Sequence, residues 1–548
     1  MVVNERTTIA AAYAMARFTD GDGIAGYEPG LSNAAAVSHN LADITTGAVA
    51  RVLAAPPNGT LTSTLRTLNS LADLLVGCAD GRTCSRLFEL ARPPDGPRPR
   101  NTLAAAADIA RAPGGHAAEL FALAAREHRY EPSLAAAPDA WILALRYDGN
   151  GHELDGPGNL AFDADGNAWV SNNYAFAADP LTPVCGGRQL IRLTPTGEDA
   201  PGAPYTGGGL YGAGFGITID PHGVVWVGNF GFQGSGCPLD PGRFNRSVSQ
   251  FRPDGRPVSP PTGWRGGEIV QPQGMATDRD GTVWIANCGS NGVTVLPGGR
   301  PDSARRIDPP AGALVRPFGV ALDAAGRAWV TGNGSDSVQA FEPDGRPGRT
   351  ITGGGLDLPI GIASDSRGNL WVANSGVLPL LPCTSANTAS PTESVFPDPT
   401  SGYPGASVTM IRADGTPSRR AFRNGGIFLP WGIAVDGDDT VWVANFGGQR
   451  VARLCGARLS ACPPGHHVGQ PISPPATGYT SDALERVTGI QIDPSGNVWL
   501  ANNWQTKPAQ TNPGGHEIVV LVGAAAPVAA PRIGPPHRPS PPAKLPSR

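Results

Sequence analysis

Apolar and polar positions between residues 158 and 502 follow one pattern that occurs seven times. In each copy a short apolar run leads to Asp, Gly follows the Asp by three residues, Trp follows the Gly by three, and Asn follows the Trp by three. Two apolar runs around such a turn are typical of a β-hairpin, because Gly readily adopts positive φ. The fixed pattern predicts one repeat architecture. The copies are NLAFDADGNAWVSN (159–172), GITIDPHGVVWVGN (216–229), GMATDRDGTVWIAN (274–287), GVALDAAGRAWVTG (319–332), GIASDSRGNLWVAN (361–374), GIAVDGDDTVWVAN (432–445) and GIQIDPSGNVWLAN (489–502).

A third β-patterned run follows each hairpin, as in SVSQFRPDG (247–255) and SVQAFEPDG (337–345). With a short fourth strand, each copy makes a four-stranded antiparallel sheet. One such sheet cannot bury both faces, but sheets arranged around an axis stack face to face. The chain is therefore predicted to be mainly β, with a seven-bladed β-propeller over 138–523. The run WILALRYDGNG (141–151) resembles a third run, and we expect it to join the last blade and close the ring.

The repeated Trp is interpreted as core, because burying one Trp side chain stabilises a fold by roughly 2–3 kcal/mol. Three copies depart from the pattern at one position each, with Asn159 in place of the first Gly, Asp439 in place of the turn Gly, and Gly332 in place of the final Asn. The seven aligned residues are Trp169, Trp226, Trp284, Trp329, Trp371, Trp442 and Trp499.

The G-x-A-x-D-x-x-G-x-x-W-V-A-N units resemble the repeats of NHL-type and virginiamycin B lyase-like β-propellers. The resemblance implies the propeller fold. It implies no single activity, because such propellers serve as binding platforms, structural modules and enzymes. A lyase of the virginiamycin B type would need His and Glu on the functional face, whereas the residue after W-V-A is Asn here. The resemblance therefore does not support that activity in this chain.

The two ends of the chain differ from the repeats in amino-acid composition and periodicity. Residues 1–137 are rich in Ala and Leu with apolar residues at helical spacing, which predicts a small all-α domain with a docking or spacer role. We expect helices within 32–53, 59–77 and 102–112, with Ser32, Thr60 or Thr62, and Asn101 near their starts. Residues 524–548 are rich in Pro and Ala without periodicity, and are predicted to be a disordered, solvated tail.

Composition and charge exclude several classes of partner. The 74 Gly and 56 Pro among 548 residues favour a turn-dense fold of short strands. A net charge of −4 disfavours nucleic acid and membrane surfaces, which attract basic proteins. No apolar run is long enough to span a bilayer. The first residues, MVVNERTTIAAAYAMARF, lack the charged leader and cleavage site of a signal peptide.

Eight cysteines suggest disulfides and an oxidising compartment. Cys78 with Cys84, and Cys455 with Cys462, are close enough in sequence to pair. We expect an extracellular or periplasmic protein whose export signal is not in this chain; free cytosolic thiols are the alternative. The other four cysteines follow the Asn of their blades and are predicted to pin long insertions, with Cys237 bonded to either Cys185 or Cys288. A zinc site is the alternative, although no C-x-x-C pair is present. These four are Cys185, Cys237, Cys288 and Cys383.

Strand alternation assigns the loops to two faces of the propeller. The Asp-x-x-Gly turns lie on one face, called here the Asp-turn face, and the second strands end on the opposite face, called here the Asn face. The long insertions 173–188, 230–246, 375–406 and 503–516 all fall on the Asn face. Binding function tends to collect where loops lengthen on a fixed scaffold.

The Asn face also combines amide and aromatic side chains, which suit a polar ligand with apolar faces, such as a saccharide, glycan or peptide. In the alternative interpretation each Asn bonds the backbone of its own turn. The candidate ligand-binding residues are Asn172, Asn173, Tyr174, Phe215, Asn229, Phe230, Asn287, Phe318, Asn374, Trp431, Asn445, Phe446, Asn502, Asn503 and Trp504.

Evidence for catalysis is sparse in the sequence. His516, next to Glu517, is the candidate for a general base. A lactonase-like propeller would hold a divalent cation at its axis, but the first-strand starts supply no Glu, so no metal or other cofactor is predicted and the cation is kept as an alternative. The favoured hypothesis is an exported propeller that binds a small polar ligand, a glycan or a protein on the Asn face. The alternatives are a lyase or lactone hydrolase using that face, and a structural extracellular module.

Overall fold

The computed structural model describes residues 1–20, 23–94, 96–151, 154–176, 185–232, 237, 245–376, 405–505 and 515–540. Seven α-helices precede the propeller in this part of the chain. They are α1 (Glu5–Ala14), α2 (Gly30–Ser38), α3 (Arg51–Ala54), α4 (Thr64–Ala79), α5 (Cys84–Leu90), α6 (Thr102–Arg111) and α7 (Ala117–Ala124). A ribbon of Thr19–Asp20 and Gly23–Ile24 lies between α1 and α2. Short 3₁₀ turns occupy Gly59–Leu61, Pro297–Gly299, Pro301–Ser303 and Leu459–Ala461.

The helix caps agree only in part with the sequence prediction. Asn101 caps α6 as expected, since its side chain accepts the Ala104 N–H at 2.8 Å. Within 32–53, where helical structure was expected, two helices are present: α2 ends at Ser38 and α3 begins at Arg51. Between them the Asp43 side chain accepts the Thr45 N–H at 2.7 Å, a local turn that competes with helix. Helix α4 begins after Ser63, so neither Thr60 nor Thr62 caps it, and Ser32 lies inside α2.

Seven antiparallel sheets form the ring, which confirms the predicted seven-bladed propeller. In each sheet the first strand pairs with the second and the second with the third. Blade 1 contains Pro157–Phe162, Ala168–Asn172, Gln189–Leu193 and Tyr205–Thr206; blade 2 Ile217–Ile219, Val225–Asn229 and Ser247–Phe251; blade 3 Pro272–Thr277, Val283–Asn287, Gly292–Leu296 and Arg305–Ile307; blade 4 Pro317–Leu322, Ala328–Gly332, Ser337–Phe341 and Pro347–Thr352. Blade 5 contains Pro359–Ser364, Leu370–Asn374 and Ser407–Ile411; blade 6 Pro430–Val435, Val441–Asn445, Arg450–Leu454 and Tyr479–Thr480; blade 7 Arg486–Ile492, Val498–Trp504, Ile518–Leu521 and Ala144–Tyr147.

The ring closes as the sequence predicted. Ala144–Tyr147, which precedes blade 1 in the chain, pairs with Ile518–Leu521 as the outer strand of blade 7. Its outer edge is covered by Asn58, which donates to the Arg146 carbonyl at 2.9 Å and accepts the Arg146 N–H at 2.8 Å. An uncovered strand edge is a template for unwanted pairing. The helical segment therefore protects the strand that closes the propeller.

The seven repeated tryptophans are buried, at 0–4% exposure, so their interpretation as core is confirmed. In five blades the indole Nε1–H donates to the repeat Asp six residues earlier, at 2.9–3.1 Å; the pairs are Asp163–Trp169, Asp323–Trp329, Asp365–Trp371, Asp436–Trp442 and Asp493–Trp499. The other Asp oxygen accepts backbone N–H groups of the turn, such as those of Ser495 and Asn497. Asp and Trp therefore recur because together they fix each hairpin.

The turn Gly of the repeat adopts positive φ, as expected; Gly166 has φ 82°. Asp439 occupies the same place in blade 6 with φ 58°. Its carboxylate accepts the backbone N–H of Ser366 at 2.9 Å and the Ser366 hydroxyl at 2.6 Å, which connects blade 6 to the turn of blade 5. A non-Gly residue adopts this left-handed backbone conformation only at an energetic cost. At Asp439 that conformation occurs together with the contact to blade 5.

The helical segment packs on blades 7 and 1 and shares one hydrophobic cluster with them. The Tyr13 hydroxyl donates to the Trp141 carbonyl at 3.0 Å. Arg17 donates to the carbonyls of Gly523 and Ala524 at 3.2 and 2.5 Å. On the Asp-turn face, the Ser495 hydroxyl in the blade 7 turn donates to the Gly30 carbonyl at 3.0 Å. The helices therefore cover part of the Asp-turn face.

The C-terminal segment differs from its prediction. Residues 524–526 and 528 are buried, whereas a solvated tail was expected over 524–548. The Ala526 carbonyl accepts the Gly437 N–H at 3.2 Å, and the Val528 N–H donates to the Asp493 carbonyl at 3.2 Å. Small Ala side chains allow this extended chain to lie against the turns of blades 6 and 7, without the periodicity that marks a helix or strand. Residues 541–548 lie outside the described part.

In the described part of the chain, three disulfides join Cys78 to Cys84, Cys185 to Cys237, and Cys455 to Cys462. The two pairs expected from close spacing are confirmed, and Cys237 takes Cys185 of the two alternatives. Cys288 is buried and is not a free thiol, while Cys383 lies outside the described residues. Among those residues, no helix has the length and apolar character needed to cross a bilayer.

Candidate functional site

The final Asn of six repeats is buried, with at most 1% exposure. In each case the side-chain oxygen accepts a backbone N–H from the loop that leads into the same blade. The bonds are Asp155 to Asn172 (2.8 Å), Tyr211 to Asn229 (3.1 Å), Val270 to Asn287 (3.3 Å), Asp357 to Asn374 (3.4 Å), Phe428 to Asn445 (2.8 Å) and Glu485 to Asn502 (3.0 Å). These amides hold the entry loops of their blades in place, whereas the alternative interpretation expected bonds to the backbone of each Asn's own turn.

In blade 4, which has Gly332 in place of the Asn, hydroxyl groups hold the entry loop instead. The Ser335 hydroxyl accepts the Val315 N–H at 3.0 Å, and the Ser337 hydroxyl donates to the Ala313 carbonyl at 2.7 Å. The two adjoining amides of the prediction are also buried: Asn173 is 5% exposed, and Asn503 donates to the Pro157 carbonyl at 2.9 Å. The Asn173 Oδ1 is buried without a hydrogen-bond partner among the described residues, and the other amide side chains of this set are occupied by the scaffold.

The first Gly of the repeat brings neighbouring blades together at the axis. A Cβ on Gly216 would overlap the Gln273 carbonyl of the next blade, and a Cβ on Gly432 would overlap the Thr488 carbonyl. Only Gly allows this approach between first strands. Asn159, which replaces the Gly in blade 1, instead donates its side-chain N–H to the Phe215 carbonyl at 3.1 Å.

Aromatic side chains before these glycines meet at the axis on the Asn face. Phe215, Phe318 and Trp431 come from blades 2, 4 and 6, with ring centroids 5.3 Å apart for the first pair and 5.8 Å for the second. Phe446 lies 5.0 Å from Trp431, and Trp504 lies 6.2 Å from Phe446. These five rings, called here the aromatic row, extend from the axis over blades 6 and 7.

The members of the aromatic row differ in accessibility. Phe318, Phe446 and Trp504 are buried, at 1, 3 and 7% exposure, whereas Phe215 and Trp431 are half-buried. The Trp431 indole Nε1 has no hydrogen-bond partner among the described residues. Phe215 and Trp431 are therefore the ring members that a ligand could touch without repacking the core.

Two further aromatic candidates stand at the starts of the insertions of blades 1 and 2. Tyr174 and Phe230 are 8 and 1% exposed and contact Phe232, at 5.7 and 4.4 Å between ring centroids. Burial raises the pKa of Tyr174, so its phenol stays neutral. The Cys185–Cys237 disulfide joins the same two insertions. This group is a small satellite core that holds the insertions together.

Cations flank the aromatic row at blade 6, a feature that the sequence analysis missed. The Arg486 guanidinium lies 5.8 Å from the Phe446 ring centroid and donates to the Phe446 carbonyl at 3.3 Å. The Arg450 guanidinium lies 5.1 Å from the Phe428 ring centroid. Position in the repeat could have indicated Arg486, because it stands three residues before the first Gly of blade 7.

His516 lies on the Asn face, where the sequence analysis placed it. Its Nδ1 is 2.9 Å from the Leu154 carbonyl, and its ring contacts Phe176 edge-on at 5.1 Å. Because a carbonyl only accepts, the Nδ1–H group is the donor in this bond. Glu517 instead faces Arg146, at 3.6 Å. Among the described residues no group of three His, Cys, Asp or Glu side chains could hold a metal ion.

The sequence matches no family profile and no curated protein sequence. The fold, however, is similar to virginiamycin B lyase. The enzyme from Staphylococcus aureus aligns with 69% of this chain and 99% of its own, at 13% identity and a TM-score of 0.45. The extracellular domain of a putative one-component system from B. thetaiotaomicron aligns with 74% of this chain and 48% of its own, at 14% identity and a TM-score of 0.42. A gluconolactonase from Xanthomonas campestris aligns with 69% and 89%, at 16% identity and a TM-score of 0.34. At these identities the likeness concerns the fold alone.

Proposed function

We propose that this protein is an exported binding module that holds a polar ligand with a flat apolar face, such as a saccharide, glycan or peptide, on the aromatic row. The observation that carries the proposal is the convergence of Phe215, Phe318 and Trp431 from alternate blades at the axis of the Asn face. Half-buried rings at the centre of a face with long insertions offer apolar area that core packing does not require.

The surroundings of the aromatic row favour a ligand that is apolar on one side and polar at its rim. Phe215 is oriented by the scaffold, because its backbone N–H donates to the Gln273 side chain at 3.3 Å. The Arg486 guanidinium places a positive charge beside the row, 5.8 Å from the Phe446 ring centroid. Rigid rings with a cation at the edge recognise stacked sugars or aromatic side chains at low entropy cost.

Export is proposed from the disulfides. Cys78–Cys84, Cys185–Cys237 and Cys455–Cys462 are distributed over the helical segment, the Asn-face insertions and blade 6. Disulfides persist in extracellular and periplasmic proteins and are rare in the cytosol. Thiol labelling of protein taken directly from culture medium or periplasm, with and without reductant, tests this part: labelling before reduction would contradict it.

The binding proposal is tested by screening the full chain on glycan and peptide arrays, followed by calorimetry with the best ligand. Trp431→Leu and Phe215→Leu are expected to weaken binding at least tenfold, which corresponds to about 1.4 kcal/mol. The matched control is Trp264→Leu, because Trp264 is also half-buried but lies at the outer edge of blade 2, where its indole donates to Gln250 at 3.0 Å. Binding by the parent to no array member, or equal losses in all three variants, would contradict the proposal.

An enzyme of the lyase or lactone hydrolase type remains the second candidate, and one observation favours it. The Leu154 carbonyl accepts the Nδ1–H of His516, so that Nε2 is the ring atom which neutral His516 would use as a general base. Turnover of cyclic peptide esters or lactones that His516→Ala abolishes, while the array ligands still bind, would favour the enzyme. If the parent shows no turnover of these substrates, the binding module is the candidate function that remains.

A further inference from the structure

Five arginines lie at the outer edge of blade 5 and at the corner where it meets blade 4. Their side chains are exposed, and none of the five forms an ion pair with a carboxylate in the described part of the chain. They are called here the basic edge, and are Arg349, Arg367, Arg412, Arg419 and Arg420. The whole chain has a net charge of −4, so the basic edge is a local excess of positive charge.

Backbone contacts bring three of these arginines to one corner of the propeller. The Ala413 N–H donates to the Asn369 side chain at 3.2 Å, which joins the turn after the third strand of blade 5 to the turn that carries Arg367. The Arg349 guanidinium, from the outer strand of blade 4, donates to the Asp414 carbonyl in the same corner at 2.6 Å. The arginines of these segments therefore form one surface across two blades.

The other two arginines continue this surface along the outside of blade 5. Arg419 and Arg420 lie in a run that pairs with the third strand through bridges at its two ends, Pro417 and Phe422. This run is the outermost described backbone of the blade. Both residues therefore stand at the rim of the propeller, where their exposed side chains can meet a large partner.

Negative charge is scarce along the basic edge. The segments 347–352, 366–370 and 412–420 contain its five arginines and a single acidic residue, Asp414. The Asp414 carboxylate accepts the Thr416 N–H at 2.8 Å. Its bonds to Thr416, and then the charges of two arginines of the basic edge, hold the pKa of Asp414 below its usual value. One negative charge against five positive ones leaves a positive potential over this surface.

We infer that the basic edge binds an acidic polysaccharide, with sulfate or carboxylate groups of the polymer on successive guanidinium groups. Both anions match the planar fork of N–H donors that Arg presents. A run of like charges along a rim suits a linear polymer that carries a charge on each repeat, because several weak exposed pairs then act together. The aromatic row is a separate site on the Asn face.

An anionic membrane surface suits the basic edge less well than a polysaccharide. Amphipathic membrane-surface segments combine basic groups with apolar anchors, but none of the large apolar side chains exposed in the described residues lies in these three segments. Nucleic acid also suits it less well, because the segments offer no aromatic ring on which a base could stack. The choice of a polysaccharide rests in addition on the proposed export.

The test measures binding of the full chain to heparin, a sulfated polysaccharide, and to polygalacturonate, a carboxylated one, by interferometry at low and at physiological ionic strength. The parent is expected to bind at least one of them, and more weakly as NaCl rises, because salt screens exposed charges. About tenfold weaker binding at low salt is expected of a triple variant of the basic edge. Its substitutions are Arg412→Gln, Arg419→Gln and Arg420→Gln.

A matched triple variant removes the same charge from exposed positions of blades 2 and 3, each of which has an acidic residue within two positions in the sequence. It should bind as the parent does, and both triple variants should unfold at the temperature of the parent, because exposed substitutions away from packed contacts change stability little. The control substitutions are Arg252→Gln, Arg279→Gln and Arg300→Gln.

Several outcomes would overturn the inference. They are absence of binding by the parent to both polysaccharides, equal losses in the two triple variants, and tighter binding to anionic phospholipid vesicles or duplex DNA than to either polysaccharide. Binding to heparin alone or to polygalacturonate alone would support it and assign the anion as sulfate or carboxylate. Trp431→Leu should leave polysaccharide binding at the basic edge unchanged, so failure here is distinguishable from failure of the proposed site on the aromatic row.

Discussion

The two faces of the propeller use their side chains differently. On the Asp-turn face the same Asp recurs in every blade and bonds its own turn, and in five blades its Trp. The helices cover blades 7 and 1, and the C-terminal segment lies against the turns of blades 6 and 7. On the Asn face the repeated Asn is equally occupied, but Phe215, Phe318 and Trp431 appear only in alternate blades. In a repeat fold, residues that every blade shares serve the scaffold. Residues that only some blades carry are the better candidates for a binding site.

The largest effect is expected within the Asp-turn face. Asp493→Ala should lower the free energy of unfolding by about 3 kcal/mol, because it leaves the Trp499 indole and two backbone N–H groups buried without an acceptor. Asp278→Ala is the matched control and should cost about 1 kcal/mol, because the described bonds of Asp278 are to the backbone of its turn and its carboxylate is partly accessible. Guanidinium unfolding measures both; equal losses would contradict a role for the Asp–Trp bond.

On the Asn face, the Asn229→Ala variant tests whether the repeated Asn stabilises the fold or contacts the ligand. Asn229 accepts the Tyr211 N–H and donates to Ser247 and Ser249, all at 3.0–3.1 Å in a buried position. Its loss should cost about 2 kcal/mol of unfolding free energy and leave ligand binding unchanged. Ser335→Ala, the counterpart in blade 4, should cost about 1 kcal/mol. Loss of binding by Asn229→Ala at a temperature where it is folded would show that the amide contacts ligand after all.

Arg17 helps to hold the C-terminal segment against the Asp-turn face. Arg17→Ala removes the bonds to the Gly523 and Ala524 carbonyls, and should cost about 1 kcal/mol, because burial of the cation offsets part of those bonds. Burial lowers the pKa of Arg17 to about 9, in keeping with that offset. Limited proteolysis with mass spectrometry should find faster cleavage within 523–540. The exposed Arg538→Ala variant should be cleaved as slowly as the parent.

The smallest effect concerns a carboxylate on the Asn face. Burial and nearby Asp336 raise the pKa of Asp357, and Arg423 opposes them. The folded state then binds the proton more tightly than the unfolded state, so stability falls as pH rises from about 3.9 through the raised folded value. Asp357→Asn should raise the unfolding midpoint at pH 7 by about 1 °C or less, and the gain should vanish near pH 3. A gain that persists at pH 3 would point to a cause other than charge.

Local periodicity explains how much of the fold the sequence predicted. Trp169 and its six counterparts stand at a fixed distance from Asp and Gly, so hairpin, core and blade count follow from neighbours in the chain. Asn101 is a cap for the same local reason. Apolar spacing did not indicate the break between α2 and α3, where the Asp43 side chain bonds the backbone locally.

The sequence predicted which residues belong to the Asn face, but not how their side chains are arranged there. The residues on the Asn face were identified, yet which of them are accessible depends on how seven blades crowd around one axis: Tyr174 and Trp504 are buried, whereas Phe215 and Trp431 are half-buried. Val528 was assigned to a solvated tail, because an Ala- and Pro-rich segment has no pattern of its own, yet it is buried.

By itself the sequence determined the seven hairpins, their Trp core and the outer strand that closes the ring, because each depends on spacings short enough to be read along the chain. The tertiary structure alone decided which aromatic rings meet at the axis, and that residues 528–534 line a cavity on the propeller axis. Those contacts join residues hundreds of positions apart, and they form only once closure of the ring has fixed where every first strand and both chain ends lie.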